Sequence, residues 1–371
     1  MSLCNRLHNY SDGRFQAHSP IGGLSAQATK AANLSSFSFK TSELHTDTNL
    51  TRFRTATFRP IYAQDPHPLY EFSLHPDTAI IIPGKVIESF DFTAETVKLY
   101  QTIFPASPVF VSTWSDTPES TLEGLEKNGA TVVLSEPPDI AGEGSSNFHA
   151  VASNKGLSAA KNAGLPFSLK TRPDQRVHNP LVIDQVKGLM REFPLLAVPN
   201  EPQLERIVST SFDSFAFRLF GLSDMFQFGT TQDLLLYWDG QIDRRPKSDF
   251  AIKNQASIRE IAQLRVAETH HMLNFLEKVG WDVDWSFTNY WLAASNRFVI
   301  VDHAPMDFFW PKFTLRENRW SSYSYFPSHQ LFDFAFWLKL RRGMPDLDHL
   351  LDLTQEAFAP AVGRETNARY P

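Results

Sequence analysis

Between residues 78 and 172, short apolar runs alternate with segments whose apolar residues recur at helical spacing. Four runs rich in β-branched residues are typical of buried strands of a parallel sheet: 78–86, 108–114, 130–134 and 166–172. Helices are predicted between them, over about 91–104, from a Thr117 cap with Pro118 at the first helical position to Gly129, and over about 147–163. This order predicts an α/β fold with a mostly parallel sheet flanked by helices.

The second half of the chain has a mixed pattern. We predict, in chain order, a helix over 184–193, an apolar strand over 215–220, a helix capped by Thr230 or Thr231, one helix over 256–279, a strand over 298–302 and a last helix over 332–340. The expected organisation is an extended arm over 1–75, one domain over 76–345 and a C-terminal helix and tail over 346–371. Within the domain, 76–180 forms the first half and 181–345 a mixed α+β half.

Composition limits the class of protein. The 371 residues carry a net charge of −6, which does not favour a nucleic-acid binder. The single cysteine, Cys4, fits a reducing compartment, and no apolar stretch approaches the roughly 20 residues that span a bilayer. We therefore expect a cytoplasmic protein, either free or peripheral at the inner face of the membrane.

The ends of the four predicted strands carry polar residues. Ligands of open α/β sheets bind beyond the carboxyl ends of the strands. The residues that would meet at this edge are Gly84, Ser112 to Ser115, Glu136 and Asp174. This edge is therefore the expected ligand site.

Asp174 follows the fourth strand and lies between Arg172 and Arg176. An aspartate after a strand is often a solvated turn residue, and Arg172 and Asp174 are also suited to a structural ion pair. A carboxylate beside cations that bind phosphate is, alternatively, the arrangement that holds Mg²⁺ or Mn²⁺ against a diphosphate. The usual form has two carboxylates one residue apart, and Arg172 stands in the partner position, so metal dependence stays open.

Several segments, in order and spacing, resemble the WavE-type lipopolysaccharide-synthesis glycosyltransferases over about residues 78–312. They are Val111-Ser-Thr-Trp-Ser followed by the strand Val132-Val-Leu-Ser, the helix with Asn147 and Gly156, the stretch from Lys170 to Arg176, Ser223-Asp224-x-Phe-x-Phe-Gly229, and Ala267-Glu268 before Leu273-x-Phe-Leu. The resemblance implies a GT-A-like nucleotide-diphospho-sugar transferase fold. It also implies a nucleoside-diphosphate sugar as donor and a saccharide or glycolipid as acceptor.

The resemblance also implies roles for individual residues. The donor and its diphosphate would contact Gly84, Ser112, Thr113, Trp114, Lys170, Arg172 and Arg176. Asp174 would take the place of the carboxylate associated with a metal, Mn²⁺ or Mg²⁺. Asp224 would face the acceptor and is the first candidate to deprotonate its hydroxyl, and Glu268 is the other carboxylate suited to that role. A cap or turn for Asp224 and a solvated helix position for Glu268 are the plain alternatives.

Two further groups have weaker chemistry. His270 and His271 lack the His-Glu-x-x-His order of a helical zinc site and are interpreted as surface or packed histidines. An aromatic set is interpreted as mostly core, with one or two rings available to stack on a sugar: Trp281, Trp285, Tyr290, Trp291 and Trp310. Two other functions remain open, namely a non-catalytic nucleotide- or sugar-binding scaffold and a sugar nucleotidyltransferase.

Overall fold

The computed structural model describes residues 73–196, 201–245, 258–310 and 331–343. Its strands are β1 (Thr78–Pro83), β2 (Val109–Trp114), β3 (Ala130–Ser135), β4 (Phe167–Lys170), β5 (Arg176–Val177), β6 (Ile207–Thr210), β7 (Gln227–Thr230), β8 (Phe298–Val301) and β9 (Phe308–Phe309). Its helices are α1 (Phe92–Ile103), α2 (Glu119–Lys127), α3 (Ser146–Asn162), α4 (Val182–Glu192), α5 (Thr231–Trp238), α6 (Ile258–Gln263), α7 (Ala267–Lys278), α8 (Phe287–Arg297) and α9 (Phe334–Arg341).

Within the described residues, the main sheet has seven strands in the order β3-β2-β1-β4-β7-β6-β8. β7 runs antiparallel to β4 and β6, and the other neighbours are parallel. Strands β5 and β9 form a small antiparallel sheet. β1 and β2 are buried along their whole length, as their continuous apolar runs require. The predicted α/β class and the mostly parallel sheet flanked by helices are confirmed.

Helix α3 lies close to β1 and β2 because it carries glycine at the contact. A Cβ at Gly156 would lie 2.6 Å from Ile81 Cγ2 and 3.1 Å from Ser112 Cβ. Any larger residue would push the helix away from the sheet or force the strand side chains to move. The glycine therefore sets the position of every other side chain on α3.

The predicted strand over 215–220 is wrong. The segment is an irregular buried loop with positive φ at Phe220, and its contact with another strand-like residue is a single bridge from Phe215 to Leu331. Its carbonyls are bound by side chains instead of a strand: Tyr290 Oη donates to Phe215 O at 2.9 Å, and Trp291 Nε1 donates to Ala216 O at 2.6 Å. Aromatic side chains of α8 thus donate hydrogen bonds to backbone carbonyls that a neighbouring strand would have bound if the predicted strand had formed.

The single helix predicted over 256–279 is also wrong. The described part is two helices, α6 and α7, separated at Arg265, which has a φ of +53°. The guanidinium of Arg245 donates to the carbonyls of Leu264 and Arg265, at 2.8 and 3.0 Å. This partner satisfies the carbonyls that a continuing helix would have used.

Two smaller expectations also differ. The N-cap of α2 is Pro118 and not Thr117, whose hydroxyl lies 3.2 Å from that of Thr113. The sequence pattern did not predict α8, which begins after a Ser286 cap that accepts from Asn289 N. The Thr230 cap of α5 and the positive φ of Gly129 after α2 are confirmed.

Antiparallel β7 enters the sheet from the carboxyl edge of β4. Gln227 pairs with Lys170, the last residue of β4, so the residues before Gln227 extend beyond that edge. Asp224 is therefore placed at the same edge as Arg172 and Asp174. Among the described residues, no helix is long and apolar enough to cross a membrane. Most of the predicted N-terminal arm and the whole C-terminal tail lie outside the described ranges, and the domain boundaries stay a prediction.

Candidate active site

A cavity of about 800 Å³ opens at the carboxyl ends of β1, β2 and β4. A volume of this size accommodates a ligand such as a nucleotide sugar. The cavity is lined by residues that directly follow the strands, together with the first turns of α3. Five of the residues expected at the donor site come together here, namely Gly84, Trp114, Lys170, Arg172 and Asp174.

Gly84 allows the loop after β1 to cross close to the loop after β4. Its φ is +125°, a conformation that L side chains rarely adopt, and a Cβ here would lie 3.5 Å from the Pro173 ring. Its N–H donates to the carbonyl of Ser112 at 2.8 Å. The glycine is thus needed for its conformation, whereas a Cβ at this distance from Pro173 would make only an ordinary van der Waals contact.

Three other predicted donor residues do not line the cavity among the described residues. Ser112 and Thr113 are fully buried within β2. Arg176 turns away to α1, where it donates to Thr96 Oγ1 and Phe92 O at 2.9 and 3.0 Å. Its guanidinium lies 4.0 Å from the centre of the Phe92 ring. The two arginines that flank Asp174 therefore have different surroundings.

Arg172 and Asp174 form a two-pronged ion pair on the cavity wall. Arg172 Nε donates to Oδ1 at 3.0 Å and a terminal nitrogen donates to Oδ2 at 3.1 Å. Trp310 Nε1 donates to the same Oδ2 at 2.8 Å. Burial would raise the pKa of Asp174, but the Arg172 charge and these hydrogen bonds hold it below its usual value. The carboxylate is ionised and accepts three hydrogen bonds.

These three hydrogen bonds bear on whether Asp174 fits the metal that the family resemblance implies. A divalent ion needs free carboxylate lone pairs and tolerates an adjacent guanidinium poorly. Both oxygens of Asp174 already accept charge-assisted bonds from Arg172, and one also accepts from Trp310. The residues present at Asp174 therefore do not fit a metal ion.

Lys170 is buried at the base of the cavity. Its ammonium donates to the backbone carbonyl of Asp224 and lies 4.2 Å from the centre of the Trp238 ring. Burial lowers its pKa to about 8, although the negative charges of Asp224 and Asp174 counteract this effect. Lys170 thus connects the loop after β4 with the loop before β7.

Asp224 is buried behind His149 and does not line the cavity among the described residues. Its Oδ2 accepts from His149 Nδ1 at 3.0 Å, and His149 itself lines the cavity. Burial would raise the pKa of Asp224, but the Lys170 charge and the His149 hydrogen bond hold it well below the usual value. An acceptor in the cavity would meet the imidazole before the carboxylate.

His271 completes a cluster with these two residues. One ligand atom from each of His149, Asp224 and His271 lies within 4.8 Å of the others. Nε2 of His271 is buried and has no hydrogen-bond partner among the described residues. Burial lowers the pKa of His271 to about 3, so its ring is neutral near pH 7. His271 and His270 are both buried, which confirms packing and excludes the surface alternative.

Glu268, the other predicted catalytic carboxylate, is half-buried near the start of α7 and is not among the described residues that line the cavity. Its negative charge acts on the Arg172 guanidinium, which lies on the cavity wall. It differs from Asp224, which is fully buried and hydrogen-bonded to an imidazole. Glu268 therefore lies in the electrostatic neighbourhood of the cavity without lining it.

The sequence pattern missed His149, Phe148 and Lys85 as cavity residues. Lys85 is exposed at the end of β1, and Phe148 packs edge-to-face on Trp114 with ring centres 5.3 Å apart. The position of Lys85 beside Gly84 was a usable signal. The predicted aromatic set is mainly core: Tyr290, Trp291 and Trp310 are buried, and Trp281 and Trp285 pack against the core.

A model of the family described as "WavE lipopolysaccharide synthesis" matches residues 86–296. This range includes most of the described cavity wall, from Val86 to Asp174, and it extends through α7. No curated protein matches the chain significantly.

Several solved structures are similar at low identity. A cytidylyltransferase from Leptospira borgpetersenii is 14% identical, with a TM-score of 0.32, over 74% of this chain and 97% of that chain. Glucosyl-3-phosphoglycerate synthase from Mycobacterium tuberculosis, in complex with Mn²⁺, uridine diphosphate and phosphoglyceric acid, is 13% identical, with a TM-score of 0.28, over 56% and 80%. Similarity at this level does not indicate an activity for this chain.

Proposed function

This chain belongs to the WavE lipopolysaccharide synthesis family, and from that premise we propose that it is a GT-A-like glycosyltransferase. It transfers a sugar from a nucleoside-diphosphate sugar to a saccharide or glycolipid acceptor of a lipopolysaccharide or surface polysaccharide, and it works in the cytoplasm. The observation that carries the proposal is the cavity at the carboxyl edge of the sheet, with Arg172 on its wall and Lys85 at its rim.

The donor's diphosphate has suitable partners in this cavity. Arg172 binds phosphate oxygens through the guanidinium nitrogens that remain beside its pairing with Asp174, and Lys85 adds an exposed ammonium. The N-terminus of the 17-residue helix α3 also faces the cavity through Ser145, and a helix N-terminus attracts anions. No step of this proposal requires a metal at Asp174.

The nucleobase has an aromatic wall. Trp114 and Phe148 both line the cavity and pack at 86° to each other. Such a rigid edge-to-face pair offers an apolar corner for a base at low entropic cost. We assign the base to this wall and the diphosphate to the side of Arg172.

We assign acceptor deprotonation to Glu268 and not to Asp224. Neither carboxylate lines the cavity among the described residues, but Asp224 is buried and already accepts from His149, whereas Glu268 is half-buried and acts electrostatically on Arg172 of the cavity wall. A general base contributes about 100-fold or more to turnover. Glu268→Gln should therefore lower turnover by about that factor, while Glu277→Gln, an exposed position on the same helix, should not.

The test is release of nucleoside diphosphate from a panel of nucleotide sugars, with thermal shift as a separate measure of binding. Lys85→Ala should weaken donor binding about fivefold, the loss of about 1 kcal/mol from one exposed charge contact. Lys98→Ala on α1, also exposed and away from the cavity, is the matched control. If the protein shows no turnover and no binding with any donor of the panel, the proposal is overturned.

Two results would favour the alternatives. Binding of a nucleotide sugar without turnover, unchanged by Glu268→Gln, would indicate a non-catalytic scaffold. Release of pyrophosphate from a nucleoside triphosphate and a sugar phosphate would indicate a nucleotidyltransferase.

A further inference from the structure

We infer that His149, Asp224 and His271 form a binding site for one divalent transition-metal ion of the Zn²⁺ type. The three residues come from different elements: His149 from α3, Asp224 from the loop before β7, and His271 from α7. Their ligand atoms lie within 4.8 Å of one another. The inference is about binding and does not depend on the proposed transferase activity.

The unpaired nitrogen of His271 is the observation that separates this cluster from an ordinary hydrogen-bonded pair. His271 is 1% exposed, and its Nε2 has no hydrogen-bond partner among the described residues. A buried nitrogen without a partner has lost its hydrogen bonds to water without gaining a replacement, which is unfavourable. The His149–Asp224 pair alone would not require this ring, whereas an ion bound through Nε2 would give that nitrogen a partner.

The geometry requires a small adjustment. Ligands 2.0–2.2 Å from one tetrahedral ion lie about 3.4 Å apart. His149 Nδ1 and Asp224 Oδ2 are 3.0 Å apart, and no separation within the cluster exceeds 4.8 Å. The His149 side chain is 30% exposed and is free to turn towards the ion. Contact with Trp238, with ring centres 4.7 Å apart, holds the ring of His271.

The donor set selects the kind of ion. Two imidazoles and one carboxylate suit Zn²⁺, Fe²⁺ and Co²⁺, whereas Mg²⁺ prefers oxygen ligands and keeps its waters. His149 lines the cavity, so the ion's remaining coordination positions would face the cavity. The site is thus on the wall formed by α3, distinct from the Arg172–Asp174 pair after β4.

Lys170 is the charge that opposes a cation here. Its ammonium contacts the backbone carbonyl of Asp224 and acts on both Asp224 and His271. Lys170→Met removes this repulsion while keeping the buried aliphatic volume. It should increase metal affinity, by on the order of 10-fold.

The experiment is calorimetric titration of the full-length, chelator-treated protein at pH 7.5 with Zn²⁺, Co²⁺ and Mg²⁺, each alone. We expect one equivalent of Zn²⁺ or Co²⁺ to bind, and Co²⁺ to give the visible absorption of a site with histidine ligands. Mg²⁺ should not bind at this site. His149→Ala and His271→Gln should each weaken Zn²⁺ binding by about 100-fold.

The controls use neighbours that do not belong to the cluster. His270→Gln changes a buried histidine of the same helix that is bonded to Gln241 O and Asn274, and Zn²⁺ affinity should stay the same. Asp174→Asn should also leave it unchanged. Absence of stoichiometric Zn²⁺ and Co²⁺ binding to folded protein, or binding that is lost in Asp174→Asn and kept in His149→Ala, would overturn the inference.

Discussion

Two buried aspartates at the same edge of the sheet differ in what surrounds them. Asp174, after β4, accepts from Nε and one terminal nitrogen of the Arg172 guanidinium and from Trp310. Asp224, before β7, accepts from the ring of His149 and shares a cluster with His271, whose Nε2 has no partner among the described residues. The same residue type thus occupies a completed ion pair in one loop and an incomplete cluster in the other.

The difference teaches that position at the strand ends is not enough to assign chemistry. The family resemblance places a metal-associated carboxylate at Asp174, yet the arginine in the partner position satisfies that carboxylate. The cations also differ in kind, because the Arg172 guanidinium cannot lose its proton, whereas the ammonium of Lys170 has a pKa of about 8. The first loop is suited to anion binding, and the second retains a carboxylate with imidazole neighbours.

The largest expected effect comes from removing one charge at a time. Asp174→Asn leaves Arg172 charged and without its partner, so we expect a loss of about 3 kcal/mol in the free energy of unfolding. Asp224→Asn should cost about half as much, because Lys170 can respond by losing its proton. Urea denaturation at pH 7 measures both values. Equal costs, or a larger cost for Asp224→Asn, would contradict the contrast between the two loops.

The two regions should also contribute to the free energy of unfolding in different pH ranges. The pKa of His271 falls from its ordinary 6.5 to about 3 on folding. As the pH is lowered, the unfolded chain therefore binds a proton at this residue at a higher pH than the folded protein does. Its contribution to stability is complete above pH 6.5 and is lost as the pH falls towards 3, by at most about 1.4 kcal/mol per pH unit. His270 and His303, whose pKa values are also lowered by burial, add to the same slope.

The carboxylates act in a lower window. The pKa values of Asp174 and Asp224 are depressed in the folded protein, so their contributions persist above about pH 3.8 and are lost below it. In chelator-treated protein, His271→Gln should reduce the slope of stability between pH 6.5 and 4 and leave the lower window unchanged. An unaltered slope in this variant would show that His271 does not carry the effect.

The parallel half of the fold was predictable from local pattern. Runs such as Thr78–Pro83 are buried on both faces and separated by short connections, so their order along the chain determined the sheet. The loop over 215–220 was not predictable in this way. Its backbone partners are the side chains of Tyr290 and Trp291, about 75 residues later, and no local spacing reveals them.

The same distinction applies to the site. Gly84, Trp114 and Asp174 were predicted because the carboxyl ends of neighbouring parallel strands meet at one edge. Arg172 was predicted from its position beside Asp174, and Lys170 from the family resemblance. His149 and His271 come together because α3 packs against α7. Packing between helices whose histidines are 122 positions apart (149 to 271) leaves no motif in the sequence, so this cluster emerged only from the tertiary structure.

The smallest expected effect concerns Trp310, whose indole N–H donates the third hydrogen bond that Asp174 accepts. Trp310→Phe removes the 2.8 Å hydrogen bond to Oδ2 but keeps an aromatic ring against Phe212, so we expect a loss of about 1 kcal/mol. The variant also frees a lone pair on the carboxylate. If Asp174 were a metal ligand limited by this bond, Zn²⁺ or Mn²⁺ binding would strengthen in Trp310→Phe. Because Arg172 still holds both oxygens, we expect metal affinity to stay unchanged, and calorimetric titration of this variant beside His149→Ala decides between the two aspartates.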